Sequence, residues 1–109
     1  MSLSERTAEI RYTFTNCGLK VLGAVWVSTR AIDFALRGPK DEDSVVRCTN
    51  SPQQVDILEL AMMLAQGDFT RAALVYTAED QPHLTGEIET YPLSRIDELA
   101  ASLARESAP

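Results

Sequence analysis

Lysine is scarce in this chain. Only Lys20 and Lys40 occur among 109 residues, and eight arginines are spread from Arg6 to Arg105. Sixteen acidic residues stand against ten basic ones, for a formal net charge of −6. Proteins that neutralise phosphates usually carry a basic footprint. This sequence has no Lys/Arg run, and its overall field opposes a polyanion. Nucleic acid is therefore a disfavoured partner. Histidine is rarer still. His83 stands alone in a polar stretch before Glu87 and Glu89, with no second histidine to complete a metal or catalytic set. The two cysteines, Cys17 and Cys48, lack metal-type spacing and read as free thiols rather than a disulfide or zinc pair. No apolar run approaches the roughly 18 residues of a membrane span. The segment Met1-Ser2-Leu3-Ser4-Glu5-Arg6 has no apolar signal core. The expectation is a cytoplasmic protein without a membrane partner. Ser28, Ser44 and Ser51 lack a G-x-S-x-G setting, and no glycine-rich loop is present to cradle phosphate.

What is present suits one domain spanning residues 1–109. Hydrophobic residues make up 45% of the chain, enough to build a core at a size where about 60–70% of the unfolded surface is buried. Ser2 and Glu5 form a capping-box pattern. Leu3, Ile10, Phe14 and Cys17 then share one helical stripe, and Gly18 suits a left-handed stop, so a helix is expected from Leu3 to Cys17. Valine-rich Lys20–Ser28 reads as a strand, followed by strands over Arg30–Arg37 and Ser44–Thr49 with a turn at Gly38-Pro39-Lys40-Asp41-Glu42.

A second helix is expected from Pro52 to Gln66, capped by Ser51 with Gln54 returning the box. Val55, Leu58, Met62 and Ala65 would form its buried face, widened by Ile57, Ala61 and Leu64. Ala72–Thr77 is too apolar to have a wet face and reads as a strand at the sheet centre. A polar loop, Ala78–Thr85, leads to a strand over Gly86–Tyr91 nearer an edge, stopped by Pro92. Ser94 and Asp97 open a last helix with Ile96, Leu99, Ala100 and Leu103 inward, fraying over Arg105–Pro109. Trp26, Tyr12, Tyr76 and Tyr91 read as core or interface rather than base-stacking groups. Glu5 and Glu9, one helical turn apart, read as a solvated face.

The order α-β-β-β-α-β-β-α places a helix between strands three and four, which implies a crossover and a mixed sheet. The segment from Ala31 to Thr77 resembles the core of the restriction-endonuclease-like nucleases, the PD-(D/E)XK superfamily, and most closely its Mrr-type branch. Ile32-Asp33-Phe34 resembles the Asp-bearing strand, and Val46-Arg47-Cys48-Thr49 stands where the Gln/Glu-x-Lys motif is expected. Asp56–Leu64, Gly67 and Ala73–Thr77 resemble the helix and strand that follow.

The resemblance implies an α/β fold, a restriction-endonuclease-like three-layer sandwich. It also implies a magnesium site built on Asp33 and the motif position of the third strand, serving a divalent-metal-dependent nuclease. This chain departs from that pattern. Arg47 replaces the second metal-binding group and Thr49 replaces the lysine, while Lys40 lies in the adjoining turn. Asp33 is thus a former or weak metal ligand, or a partner of Arg47 across the hairpin. The expectation is a catalytically degenerate domain needing no cofactor, acting as a binding or assembly module. It would pair with itself or with a protein partner, since the chain is small and apolar and such nucleases commonly pair. Two other readings stay open: an active nuclease using Asp33, magnesium and an unconventional second ligand, and a mixed α/β regulatory domain of another family.

Overall fold

Gly18 ends the first helix through a complete left-handed cap. Its φ of +92° is open to glycine at no steric cost. Leu19 N–H donates to the Phe14 carbonyl and Gly18 N–H to the Thr15 carbonyl, each at 3.1 Å. The chain then turns directly into the sheet. In this computed structural model, which describes residues 3–77 and 84–106, the elements are α1 (Leu3–Asn16), β1 (Lys20–Ser28), β2 (Ala31–Arg37), β3 (Asp43–Thr49), α2 (Gln54–Ala65), β4 (Arg71–Tyr76), β5 (Glu89–Pro92) and α3 (Ile96–Glu106). A 3-10 turn over Leu93–Arg95 leads into α3. Ser2, His83 and most of the polar loop, residues 78–83, lie outside the described residues.

The five strands form one mixed sheet in the order β1-β2-β3-β4-β5. β1, β2 and β3 run antiparallel, whereas β3–β4 and β4–β5 are parallel. The α2 crossover produces that change of sense, because two parallel neighbours cannot be joined by a tight turn. β4 is interior, as its apolar sequence requires, although β3 is the middle strand. Alternation divides the side chains cleanly. Ile32, Phe34, Leu36, Val46, Cys48, Ala73 and Val75 pack with α1 and α3 on one face. Phe14 meets Phe34 edge-on, with ring centroids 5.6 Å apart. On the other face, Val45, Ala72 and Leu74 pack with Ile57 and Leu60 of α2. Asp33, Arg47 and Thr49 share this second face by alternation.

Four expectations need correction. Helix α2 is capped by Gln53 rather than Ser51: Gln53 N–H donates to Asp56 Oδ2 at 2.8 Å, so a carboxylate at N3, not Gln54, closes the box. Its buried face is Asp56, Ile57 and Leu60, while Val55, Leu58 and Met62 are exposed. A helix apolar on all sides carries no periodic signal of which side faces the sheet. The last strand covers only Glu89–Pro92 instead of Gly86–Tyr91. Gly86, at φ +133°, lies so close to α2 that an added Cβ would sit 2.7 Å from Ile57 Cγ2. The Gln54 side-chain amide pairs with the backbone of Thr85, accepting from its N–H and donating to its carbonyl. This clamp holds the segment against the helix and delays its entry into the sheet. Arg105, finally, belongs to α3, which continues to Glu106.

Candidate functional site

The site is built at the open end of the β2–β3 hairpin, beneath the N-terminus of α2. Register sets Asp33 directly opposite Arg47. The guanidinium forks onto the carboxylate, Nε to Oδ1 at 2.7 Å and Nη2 to Oδ2 at 2.9 Å. Such a bidentate pair is both strong and directional. The remaining terminal nitrogen, Nη1, donates to Asp56 Oδ1 at 3.2 Å and to Glu59 Oε1. Arg47 thus ties together two strands and the first turns of α2. Its side chain is 2% exposed, as is that of Asp56; Asp33 is 12% and Glu59 51% exposed.

A second arginine extends the network. Arg30, immediately before β2, donates through Nη1 to Asp56 Oδ2 at 3.2 Å, to Thr49 Oγ1 at 3.2 Å and to the Ser51 carbonyl at 3.0 Å. Its Nη2 reaches Gln53 Oε1 at 3.2 Å. Thr49 Oγ1 also accepts the Ser51 N–H at 3.2 Å. Past the end of β4, Thr77 Oγ1 donates to Asn50 Oδ1 at 2.7 Å. Two guanidinium groups therefore serve three carboxylates, Asp33, Asp56 and Glu59.

The electrostatic consequence is a locked cation. The Asp33 hydrogen bond above all, with help from Glu59, raises the Arg47 pKa against the opposing effect of burial. Arg47 stays charged at every accessible pH. Behind it on the other face, burial pushes the Cys48 thiol up, with the Asp33 charge adding to the effect. Cys48 is thereby held as an inert thiol. Both cysteines are free, although Cys17 is only half-buried.

Of the residues singled out from the sequence, Asp33, Arg47 and Thr49 come together on one sheet face. Arg47 links to Asp33 directly, and Thr49 joins the same network through Arg30. Lys40 does not join them. It lies in the hairpin turn, where Asp41 takes φ +62°, and the Arg37–Asp43 pair that closes this turn is four strand residues from Asp33–Arg47, about 13 Å. Glu5 and Glu9 are exposed on α1, across the sheet from the site. Sequence reasoning missed Arg30, Gln53, Asp56 and Glu59. An acidic residue at N3 of a helix, with a second one three residues on, was the available signal for the α2 pair.

Comparison with protein families, with curated proteins and with solved structures yields no match.

A magnesium ion in a site of the kind the resemblance implies would be held by oxygen ligands converging from Asp33 and β3. The residues present do not fit it. The Arg47 guanidinium sits between Asp33 on one side and Asp56 and Glu59 on the other. The carboxylates face this fixed positive charge rather than one another. Among the described residues, no group of three or more His, Cys, Asp or Glu is arranged to hold a metal ion.

Proposed function

We propose that this chain is a restriction-endonuclease-like domain that has exchanged its catalytic centre for an internal ion-pair network and works as a binding or assembly module. The observation that carries the reading is the Arg47 guanidinium, which bridges Asp33, Asp56 and Glu59 where a metal-dependent nuclease would gather oxygen ligands around a cation. The antiparallel β1-β2-β3 meander, the α2 crossover and the parallel β4 support the same reading. So does the placement of Asp33, Arg47 and Thr49 on one face.

In this reading the network fixes α2 onto the hairpin, so that the domain presents a defined surface. Arg47 supplies the positive charge that the carboxylates need, and neither a metal nor a lysine is required. The partner is a protein rather than a nucleic acid. Five of the eight arginines, Arg30, Arg37, Arg47, Arg71 and Arg95, already face carboxylates of this chain.

Incubation of the purified protein with duplex DNA, single-stranded DNA and RNA, in magnesium and in manganese, tests the reading. No cleavage is expected. Robust cleavage that vanishes in a folded Asp33→Ala variant would overturn it.

A further inference from the structure

The two faces of the sheet are covered unequally. α1 and α3 both pack on one face, while among the described residues α2 is the only helix on the other. α2 lies chiefly over β3 and β4, and the strip over β1 and β2 beside it is left open. Neighbouring strands are about 4.8 Å apart, so the middle of that strip is about 10 Å from the middle of β3–β4. Packed helices sit about 8–10 Å apart. The open strip is therefore one helix wide.

The strip is apolar. A groove of about 300 Å³ is lined by Leu22, Val25, Val27, Met63 and Phe69, with Asp33 in its wall. Leu22 is 41%, Val25 64% and Val27 45% exposed. The β1–β2 register shifts between Val21 and Gly23 and between Trp26 and Ser28, so Leu22 and Val27 are the extra residues of two bulges. Both extra side chains line the groove, as bulges commonly re-aim a side chain. The same bulges interrupt the ladder and disfavour an added strand at this edge. The surface on offer is a sheet face beside a helix, and such a face is covered by another helix.

Charge narrows the class of helix. Arg30 and Arg47 serve three carboxylates, Asp33, Asp56 and Glu59, so the network is one cation short. Asp33 pairs with Val25 in the ladder and lies in the groove wall. Glu59, 51% exposed, is the carboxylate of the network most open to solvent. Arg30, Arg37 and Arg47 are each committed to a carboxylate of this chain. A second copy, also at −6, would bring more negative charge to the same place.

We infer that the groove between β1 and α2 docks a basic amphipathic helix of a partner protein, its apolar face set between Val25 and Met63 and a Lys or Arg reaching Glu59. This names the partner of the assembly module and rests on that reading. Leu22 to Val27 spans roughly 17–20 Å, the length of about 12 helical residues. A contact of that size is weak or transient.

Fluorescence anisotropy with three labelled peptides of about 14 residues tests the inference. One repeats Leu at helical spacing with Lys elsewhere, its twin carries Glu for Lys, and the third alternates Leu and Lys at strand spacing. The full chain should bind the first with a micromolar dissociation constant, and that peptide should gain helical circular dichroism on binding. The other two should bind at least about tenfold more weakly. Val25→Gln, which removes an apolar anchor, should weaken binding about tenfold. Glu59→Gln should weaken it about two- to fivefold, the range for a partly exposed ion pair, and decides the matter if Val25→Gln fails to fold. Leu58→Gln, on the outer face of α2, should leave binding unchanged. Absence of binding, equal binding of the acidic twin, tighter binding of the alternating peptide, or binding unmoved in folded Val25→Gln or Glu59→Gln would each overturn the inference. So would a dimer in sedimentation that Val25→Gln dissolves, because a second copy would then fill the groove. A chain that neither binds the basic helix nor cleaves nucleic acid leaves the degenerate-nuclease reading standing. A chain that binds it and cleaves would defeat that reading and leave this one.

Discussion

The Asp33 carboxylate receives the Arg47 guanidinium through both oxygens, at 2.7 and 2.9 Å, across the β2–β3 ladder. The pair is almost entirely buried, and the same guanidinium reaches two carboxylates of α2. Removing one member strands the other away from water. Truncating Arg47 to Ala should cost about 3–5 kcal/mol, because buried Asp33 would lose the cation it pairs with and Asp56 would keep Arg30 alone. Asp33→Ala should cost less, since Arg47 keeps Asp56 and Glu59. Chemical denaturation of the two single variants and the double should give a coupling energy of about 0.5–3 kcal/mol. A coupling of zero would show that the two do not act as a pair. Glu59→Ala, at the wet end of the network, should change stability by no more than about 1 kcal/mol.

A second consequence concerns Gly86. A methyl group there would meet Ile57 Cγ2 at 2.7 Å, on a backbone with φ +133° that side chains rarely adopt. Gly86→Ala should destabilise by about 1–3 kcal/mol, the usual range for overpacking a filled site. Ile57→Ala removes the opposing methyl, so the double variant should lose less than the sum of the two single losses. Additive losses would mean that the segment does not press on α2.

The Arg71–Glu89 pair joins β4 to the β5 edge, and Arg71 above all holds the Glu89 carboxyl below its ordinary value of 4.5. A lowered carboxylate pKa stabilises the fold above the unfolded value, and that stabilisation is lost as the pH falls through the folded one. Stability should therefore decline below pH 4.5. Glu89→Gln should be less stable than wild type at neutral pH and show a shallower acid limb. Parallel acid limbs for the two proteins would remove Glu89 from the account.

Much of this arrangement is readable along the chain, for identifiable reasons. Ile32, Phe34 and Leu36 alternate with Asp33 and Ala35, and a short turn follows, so a strand pairing that sets Asp33 near Arg47 is a local property. Gly18 marks its own helix end. The orientation of α2 is not local. Val55, Leu58, Met62, Ile57 and Leu60 are equally apolar, and the choice between faces is made by buried Asp56, which must meet Arg47 and Arg30. The pattern of hydrophobic residues ranks the wrong stripe because the deciding residue is charged. The late start of β5 likewise depends on a contact between Gly86 and Ile57, 29 positions apart, that no window of sequence contains. The exposure of β1 follows from its place at the sheet edge, which its valine-rich composition alone would not suggest.

The last prediction concerns nucleic acid. Sequence-independent binding comes from displacing counterions around phosphates, and it falls with salt roughly as the 0.9 power for each phosphate neutralised. The chain carries −6 overall, and Arg30 and Arg47 at the candidate site are spent on Asp33, Asp56 and Glu59. Few cations remain to meet a phosphate backbone at the face where a nuclease of the resembled type would hold its substrate. Any binding to duplex DNA at low salt should be weak and nearly vanish at physiological ionic strength. Fluorescence anisotropy with a labelled duplex across a salt series measures both the affinity and the slope. A submicromolar dissociation constant at physiological salt would contradict the assignment of these arginines to internal pairs. If Asp33→Ala or Glu59→Ala then tightened binding, the released guanidinium would be the group responsible. The same variants would distinguish an arginine held in reserve for phosphate from one committed to the fold, since only the former gains affinity when its carboxylate is removed.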